Sequence, residues 1–213
     1  MQFQKDFLEE MQKKLNKQKV DDKETVAIVN DKKLMGRDYN MALSSLQMQM
    51  QQMGQDPTSK EAAKQVKEQT INNLVGQTLI LQEADKKGYQ ASEEEVEKQV
   101  AKMKEQFKDD KKLEAALKQA DLDMETLKIQ TAENVQYTKY IEKEIPVEEV
   151  SDKEIQAYYD QMVQQGSAGG QEIPKLEEVK PQIMQQLVQQ KQQEKLAQQV
   201  EKLKKNAEVD IKI

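Results

Sequence analysis

Apolar residues recur every three or four positions along most of this chain of 213 residues, and this spacing constrains the fold more than any other feature. In one segment, for example, Val96, Val100 and Phe107 fall on the same side of a helix. Ser92 and Glu95 precede them at the spacing of a capping box, in which each side chain bonds the other residue's backbone amide. Ala, Glu, Lys, Gln and Met are frequent, and these residues favour helices. The sequence therefore predicts a mainly α-helical protein.

Two short segments near opposite ends of the chain break the helical spacing. Residues 26–30 are rich in β-branched side chains, and Asn30 and Asp31 supply the turn of a hairpin. Residues 209–213 alternate apolar and polar side chains, as in a half-buried strand. We expect the two segments to pair. Because the hydrophobic share is only 36%, the predicted fold is an elongated multi-helix domain with a small β-sheet formed by N-terminal and C-terminal strands.

Capping residues and helix breakers set the expected helix bounds. Asp38 and Asp123 are predicted N-caps, residues 54–57 interrupt the chain between two helices, and Gly88 suits a C-cap. The last helix carries no large apolar residue over 189–195, so we expect this stretch to cross open solvent. In order, the predicted helices cover about 2–18, 38–53, 59–87, 92–107, 113–117, 123–145, 151–165 and 176–203.

The chain contains no Cys and no His, which excludes most common catalytic and metal sites. Thiol nucleophiles, Ser–His–Asp triads and Cys/His zinc sites cannot form. Runs of carboxylates at 93–95 and 148–149 stand at helix starts, where capping and the helix dipole explain them better than acid–base catalysis. The glycines within 166–170 lack the lysine of a phosphate-binding loop. We therefore predict no catalytic residue, no metal and no cofactor.

The net charge of the chain and its N-terminal residues give information about possible binding partners and about a membrane tether. A formal net charge of −6 argues against binding to nucleic acid. Residues 1–19 have apolar side chains at helical spacing and lack the apolar block of a signal peptide, and no segment reads as a transmembrane span. A removed signal or lipid anchor, and with it a membrane tether, is left open. The helix at 2–18 docks on its own domain, pairs with another copy in a homodimer, or is foreign to the natural chain.

Four segments of the chain form a recognisable series. In chain order they are "VAIVNDKKLMGRDY", "KKGYQASEEEVEKQV", "VEEVSDKEIQAYYDQ" and "IPKLEEVKPQIMQQLVQQKQQEKLAQQVEKLKKNAEVDIKI". In the same order, they resemble four parts of the SurA/PrsA-type extracytoplasmic chaperones: the opening strand pair, the end of the long helix, the segment that leads into a parvulin prolyl-isomerase domain, and the segment that returns from it. The similarity extends over about 25–213. The resemblance implies a helical chaperone domain outside the cytoplasmic membrane, in the cell envelope, in the periplasm or at the outer face of that membrane.

The resemblance also implies that the isomerase domain is missing. Only residues 160–173 separate Tyr159 from Pro174, whereas a parvulin domain is several times longer and its active site includes histidines. The predicted organisation has four parts. They are an N-terminal helix and linker (1–24), a SurA-like N-terminal helical chaperone domain (25–165), a flexible linker where a parvulin domain would sit (166–173), and a return helix and strand that complete the chaperone domain (174–213).

The resulting hypothesis is a chaperone of holdase or foldase type that binds unfolded or exported polypeptides without catalysis. Methionine repacks against varied shapes and tyrosine offers broad amphipathic area, so we expect the contacts in a Met-rich helical cradle. Each candidate residue also has a plainer interpretation as a core residue or a contact between copies. For the whole chain, the alternative is a helical scaffold that binds one folded partner. The candidate client-binding residues are Tyr39, Met41, Leu43, Leu46, Met50, Met53, Tyr137 and Tyr140.

Overall fold

The computed structural model describes residues 2–107, 110–119, 122–168 and 174–213. These residues form a mainly helical fold with one small antiparallel sheet, as the sequence predicted. No helix in these ranges combines the length and the hydropathy that a bilayer crossing requires. In chain order, the elements are α1 (Gln2–Asn16), β1 (Thr25–Val29), β2 (Lys32–Met35), α2 (Gly36–Gln52), α3 (Lys60–Lys86), α4 (Glu93–Phe107), α5 (Asp110–Gln119), α6 (Met124–Glu144), α7 (Asp152–Ala168), α8 (Leu176–Lys204) and β3 (Val209–Ile211).

The chain divides into two compact units. Unit 1 comprises Met1–Gly88 and Lys202–Ile213, so it contains the sheet, α1 to α3 and the end of α8. Unit 2 comprises Tyr89–Glu201, with α4 to α7 and most of α8. The helix α8 therefore carries the chain from unit 2 back to unit 1.

The sheet of unit 1 joins both ends of the chain in the strand order β2-β1-β3. A two-residue turn connects β1 with β2, and its residues Asn30 and Asp31 have φ angles of 46° and 67°. Positive φ at both positions is typical of type I′ hairpin turns, which Asn and Asp tolerate well. On the other side of β1, an antiparallel ladder pairs Val29 with Val209. The predicted hairpin and the predicted pairing of the two terminal strands are confirmed.

Polar side chains fix this hairpin turn to α3 and to the returning chain. Asn30 and Glu208 exchange two hydrogen bonds of 2.9 Å, one from the Asn30 amide to the Glu208 carbonyl and one from the Glu208 amide to Asn30 Oδ1. Asn30 Nδ2 also donates to Gln82 Oε1 at 2.8 Å, and Gln82 Nε2 donates to the carbonyl of Val29 at 3.0 Å. A single asparagine thus joins three segments that are far apart in the sequence.

The core of unit 1 packs the sheet against α2 and α3. Val26 and Val29 from the sheet and Tyr39 and Leu43 from α2 are all fully buried there. The Tyr39 hydroxyl is also buried and has no hydrogen-bond partner among the described residues. Burial raises the pKa of this hydroxyl.

The helix α2 begins at Gly36, so the prediction that Asp38 caps it was wrong, and Asp38 lies in its first turn. The chain passes from β2 into α2 without a loop. In place of a side-chain cap, the segment 21–24, which precedes β1, supplies a backbone carbonyl. The Gly36 amide donates to the carbonyl of Glu24 at 2.7 Å. Because this segment approaches so closely, a Cβ atom on Gly36 would lie 1.8 Å from the carbonyl oxygen of Asp21.

Unit 2 confirms the predicted capping box of Ser92 and Glu95 and the predicted Asp123 cap. Ser92 Oγ accepts the Glu95 amide at 3.3 Å while Glu95 Oε2 accepts the Ser92 amide at 2.8 Å. Ser151 and Glu154 repeat the same two bonds at the start of α7. Asp123 Oδ1 accepts an amide from the first turn of α6 at 2.7 Å. These local signals act within a few residues, which explains why the sequence predicted them correctly.

Lysine side chains of α8 contact the segment around the start of α7. Lys191 Nζ lies 2.7 Å from Glu154 Oε1, and Lys195 Nζ donates to the carbonyl of Pro146 at 2.8 Å. The stretch 189–195 therefore makes ionic and polar contacts within unit 2, and the expectation that it crosses open solvent was wrong. Of the predicted linker at 166–173, the first three residues belong to α7, and residues 169–173 lie outside the described ranges.

Gly36→Ala should destabilise the protein strongly, by about 3 kcal/mol, because the new methyl group overlaps a backbone carbonyl that cannot move without breaking the entry to α2. Gly54→Ala is the control. Gly54 has a φ angle of +74°, and no atom lies within 4 Å of the place that a new methyl group would take, so only backbone strain of about 1 kcal/mol is expected. Urea unfolding measures the free energy of unfolding of both variants, and an equal loss of stability in the two would contradict the steric argument.

Tyr39→Phe should leave the fold intact and raise the free energy of unfolding by about 1 kcal/mol, because it removes a buried hydroxyl that lacks a partner among the described residues. Tyr140→Phe is the matched control, since Tyr140 is equally buried but its hydroxyl accepts a hydrogen bond from Gln199 at 2.8 Å. That substitution should lower the free energy of unfolding by about 1 kcal/mol. Thermal or urea unfolding of the two variants should shift in opposite directions.

Lys191→Met should raise the pKa of Glu154, which the Lys191 ammonium, followed by the Ser151 amide and hydroxyl, lowers from its ordinary value of 4.5 to about 2. A depressed pKa in the folded state stabilises the fold above the ordinary value, and this stabilisation is lost as the pH falls from 4.5 to about 2. The variant should lose less stability across that window. Carboxyl NMR titration measures the pKa directly, and Lys195→Met should leave it unchanged.

Candidate functional site

A groove in unit 1 lies between the C-terminal half of α2 and the N-terminal half of α3, and its volume is about 510 Å³. Leu46 and Met50 on α2, Met53 at its C-cap, and Val66 on α3 give the groove its apolar lining. The first three recur at four- and three-residue spacing, so they share one helix face. The groove therefore presents an apolar stripe with two methionines to any bound molecule.

Amide side chains form most of the polar lining of the groove. None of them has a side-chain hydrogen-bond partner among the described residues, so their donors and acceptors are open to a bound molecule. Each amide can donate to a peptide carbonyl and accept from a peptide N–H. Glu68 is the only charged residue in the described lining. The amide residues are Gln49, Gln55, Gln65, Gln69 and Asn72.

The connection between α2 and α3 holds the two walls of the groove together at one end. The helix α2 ends at Gln52, and Gly54, with a φ angle of 74°, turns the chain. Pro57 is buried, and its carbonyl accepts a hydrogen bond from Gln18 Nε2 at 3.0 Å. Gln18 Oε1 in turn accepts from Gln47 Nε2 of α2 at 3.1 Å. This pair of amides fixes the connection to α2 and to the segment after α1.

The end of α1 also contacts α2 in this unit. Leu15 is buried, and Gln51 Nε2 donates to Met11 Sδ at 3.4 Å. Of the three alternatives for this helix, docking on its own domain agrees with these contacts.

Three of the eight predicted client-binding residues line the groove. These are Leu46, Met50 and Met53, of which Met53 is 60% exposed. Met41 and Tyr137 are half-buried and lie outside the groove lining. Burial raises the pKa of Tyr137.

The other three predicted residues are fully buried and therefore out of reach of a bound molecule in this structure. Tyr39 and Leu43 point into the core of unit 1 from successive turns of α2. Tyr140 lies in the core of unit 2, where its ring meets Tyr89 edge-on with 5.9 Å between the ring centroids. Gln199 Nε2 donates to its hydroxyl at 2.8 Å.

Sequence reasoning missed the second wall of the groove. Gln65, Gln69 and Asn72 recur at four- and three-residue spacing, which places them on one face of α3, next to the buried Val66. This amide stripe was readable in the sequence, but glutamine is so frequent in this chain that the stripe did not stand out. In the described residues, no three Asp or Glu side chains gather as a metal site would require.

A smaller cleft in unit 2 lies between α4 and α6, with a volume of about 360 Å³. Val96, Ile129 and two alanines supply its apolar lining, and Ile129 is 55% exposed. Glu93, Glu97 and Lys128 surround these two residues. The cleft is thus smaller and more charged than the groove, and its described lining contains no methionine.

Comparison with known proteins adds a family and named relatives. The SurA-like N-terminal domain family matches residues 7–141, more than half of the chain and from α1 into α6. The chain is similar to the foldase protein PrsA of Clostridium botulinum, with 29% identity over 151 residues that cover 65% of this chain and 45% of that protein. For the foldase protein PrsA of Clostridium perfringens the identity is 33% over 155 residues, 68% of this chain and 44% of that protein. The chain thus spans less than half the length of these curated relatives.

Proposed function

The chain belongs to the SurA-like N-terminal domain family, and from that membership we propose that it is a chaperone that holds unfolded or partly folded polypeptides in the α2–α3 groove. The names of the relatives, which are foldases, support a role in protein folding. We also propose a location in the cell envelope, on the basis of the family alone.

The observation that carries this proposal is the composition of the groove, which combines apolar side chains, two of them methionines, with amides that have no side-chain hydrogen-bond partner among the described residues. Unfolded chains expose apolar side chains together with unsatisfied backbone N–H and C=O groups. Met50 and Met53 suit the apolar side chains of a client, because the methionine thioether is polarizable and its chain adopts many rotamers. Gln65 and Gln69 suit the client's backbone, because a primary amide can donate a hydrogen bond to a C=O group and accept one from an N–H group. Neither contact depends on a particular client sequence.

The groove predicts weak and reversible binding. Complete burial of one large apolar side chain contributes roughly 1.5–3 kcal/mol, and ordering the bound segment and the methionines offsets much of that gain. A groove of about 510 Å³ accommodates only a few residues of a client. Such binding keeps a client from aggregating and still releases it to fold.

The proposal includes no catalysis. The sequence holds neither His nor Cys, and the groove lining contains a single carboxylate, Glu68, so it offers no acid–base pair. Between Ala168 and Leu176, residues 169–175 leave no room for an inserted domain, since domains begin at about 50 residues. We therefore expect refolding limited by proline isomerisation to proceed at its uncatalysed rate in the presence of this protein, and an accelerated slow phase would contradict this part of the proposal.

Met53→Gln should weaken the suppression of aggregation of a chemically unfolded test protein, because it removes an exposed apolar contact from the groove and keeps a similar side-chain volume. The concentration needed for half-maximal suppression should rise about tenfold when Met50→Gln is added. Light scattering measures the effect.

Met48→Gln is the matched control for this experiment. Met48 lies on α2, the helix that Met53 caps, and both side chains are 60% exposed, but Met48 does not line the groove. Its substitution should leave suppression unchanged. Equal loss in both variants would mean that general surface hydrophobicity, and not the groove, binds clients, and no suppression by the unsubstituted protein would end the proposal.

A further inference from the structure

The cleft between α4 and α6 of unit 2, called here the α4–α6 cleft, contains a large apolar side chain that is only partly covered. Ile129 on α6 is 55% exposed, whereas Val96, which lines the cleft from α4, is buried. The cleft has a volume of about 360 Å³, which accommodates one large side chain of a bound segment next to Ile129. Because covering Ile129 removes apolar surface from water, an apolar side chain is favoured there.

Acidic side chains surround Ile129. Glu93 and Glu97 of α4 line the cleft and are one helical turn apart. On α6, Glu125 precedes Ile129 by one turn and is exposed. Lys128 is the only cation in the described lining. The surroundings of Ile129 therefore hold three carboxylates and one ammonium group, which attract a bound segment that carries positive charges.

These four charged side chains are unpaired within the described part of the chain. None of them forms an ion pair or a side-chain hydrogen bond with another described residue. Glu95, on the same helix α4, behaves differently. Its carboxylate lies 2.6 Å from Lys139 Nζ and accepts the Ser92 amide, and these contacts lower the pKa of Glu95 to about 2. The carboxylates at the cleft are thus available to basic groups of a partner, whereas Glu95 serves the fold.

We propose that the α4–α6 cleft binds polypeptide segments in which a large apolar residue has lysine or arginine two positions away. The apolar side chain covers Ile129, and the basic side chains pair with Glu93 and Glu97. In an extended segment, side chains two positions apart lie on the same side at a distance of roughly 7 Å, so both kinds of side chain reach the cleft together. This inference rests on the proposed chaperone function for the class of partner, but on none of the residues of the α2–α3 groove.

The cleft and the groove therefore select different segments. The groove has one charged residue, Glu68, in its described lining and suits neutral apolar segments. The cleft has three charged residues in a smaller lining and suits apolar segments with basic flanks. The same carboxylates repel phosphate groups, which argues against a nucleic acid or an anionic lipid surface as the partner.

Binding of short labelled peptides to the full chain, measured by fluorescence anisotropy, tests this selection. The peptide Gly-Lys-Ser-Ile-Ser-Lys-Gly should bind about fivefold more tightly than Gly-Gln-Ser-Ile-Ser-Gln-Gly, because it adds two exposed ion pairs. The double variant Glu93→Gln, Glu97→Gln should bind both peptides equally. The matched control is the double variant Glu94→Gln, Glu105→Gln, which removes the same charge from exposed positions of α4 outside the cleft lining. This control should keep the fivefold preference.

Two further measurements locate the bound peptide. The methyl resonances of Ile129 should shift when the lysine peptide is added. Lys128→Gln should strengthen binding of the lysine peptide about twofold, because it removes the one cation from the described lining. Ile129→Gln should weaken binding of both peptides, and because Ile129 is 55% exposed, circular dichroism should show unchanged helicity.

The proposal is overturned if the unsubstituted chain binds the two peptides equally, or if the preference survives the loss of Glu93 and Glu97. Methyl shifts confined to Met50 and Met53 would place the peptide in the groove and would also overturn it. So would Ile129 resonances that shift with the concentration of the chain alone, because a second copy then occupies the cleft. In each case, suppression of aggregation would still support the proposed chaperone function. Selective binding at the cleft without any suppression would end the chaperone function and leave this site in place.

Discussion

The antiparallel pairing of β1 with β3 is the interaction on which the arrangement of unit 1 depends. It closes a long loop, since the hydrogen bond between Asn30 and Glu208 spans 178 positions of sequence. Closing a flexible loop of that length costs roughly 5 kcal/mol of chain entropy. Hydrogen bonds contribute only about 1 kcal/mol each, so the ladder alone does not offset this cost. Packing of Leu203, Ala207 and Ile213 against the core must supply the rest.

The two walls of the groove are supported differently. The helix α3 is held along one face by the buried core and is fixed to the hairpin turn through Gln82. Its opposite face carries the amide stripe, so Gln65 and Gln69 are displayed from a firm support. The other wall ends at Met53, a C-cap residue that is 60% exposed and followed by a turn. A polar wall on a fixed helix thus faces an apolar wall whose methionine side chains can repack, which is the combination that the proposed binding of variable client segments requires.

Sequence reasoning succeeded where the cause of a structure lies within a few residues. The Asn30–Asp31 turn, the Ser92–Glu95 capping box and the alternation in β3 follow from local chemistry. The pairing of the two terminal strands was predictable because the sequence contains few other strand-like segments. Sequence reasoning failed where a segment far away in the sequence determines the local structure. The start of α2 depends on a carbonyl from Glu24, and the burial of Tyr39 and Tyr140 depends on which helix face meets a core. Amphipathic spacing shows that a face is apolar, but not whether a core or a client covers it.

If the chain is the chaperone proposed above, the near absence of charge in the groove has a consequence for the choice of clients. The polar part of its lining consists of five amides and one carboxylate. Binding there would therefore depend on the volume of the client's side chains and the accessibility of its backbone far more than on its charge. Most of the chain's net charge of −6 lies outside the groove, where it attracts basic segments only over about a Debye length, roughly 8 Å at physiological salt. Salt should therefore slow the encounter with basic clients while leaving the contacts within the groove nearly unchanged. Long-range charge and short-range groove chemistry are thus separable in this molecule, because different residues carry them.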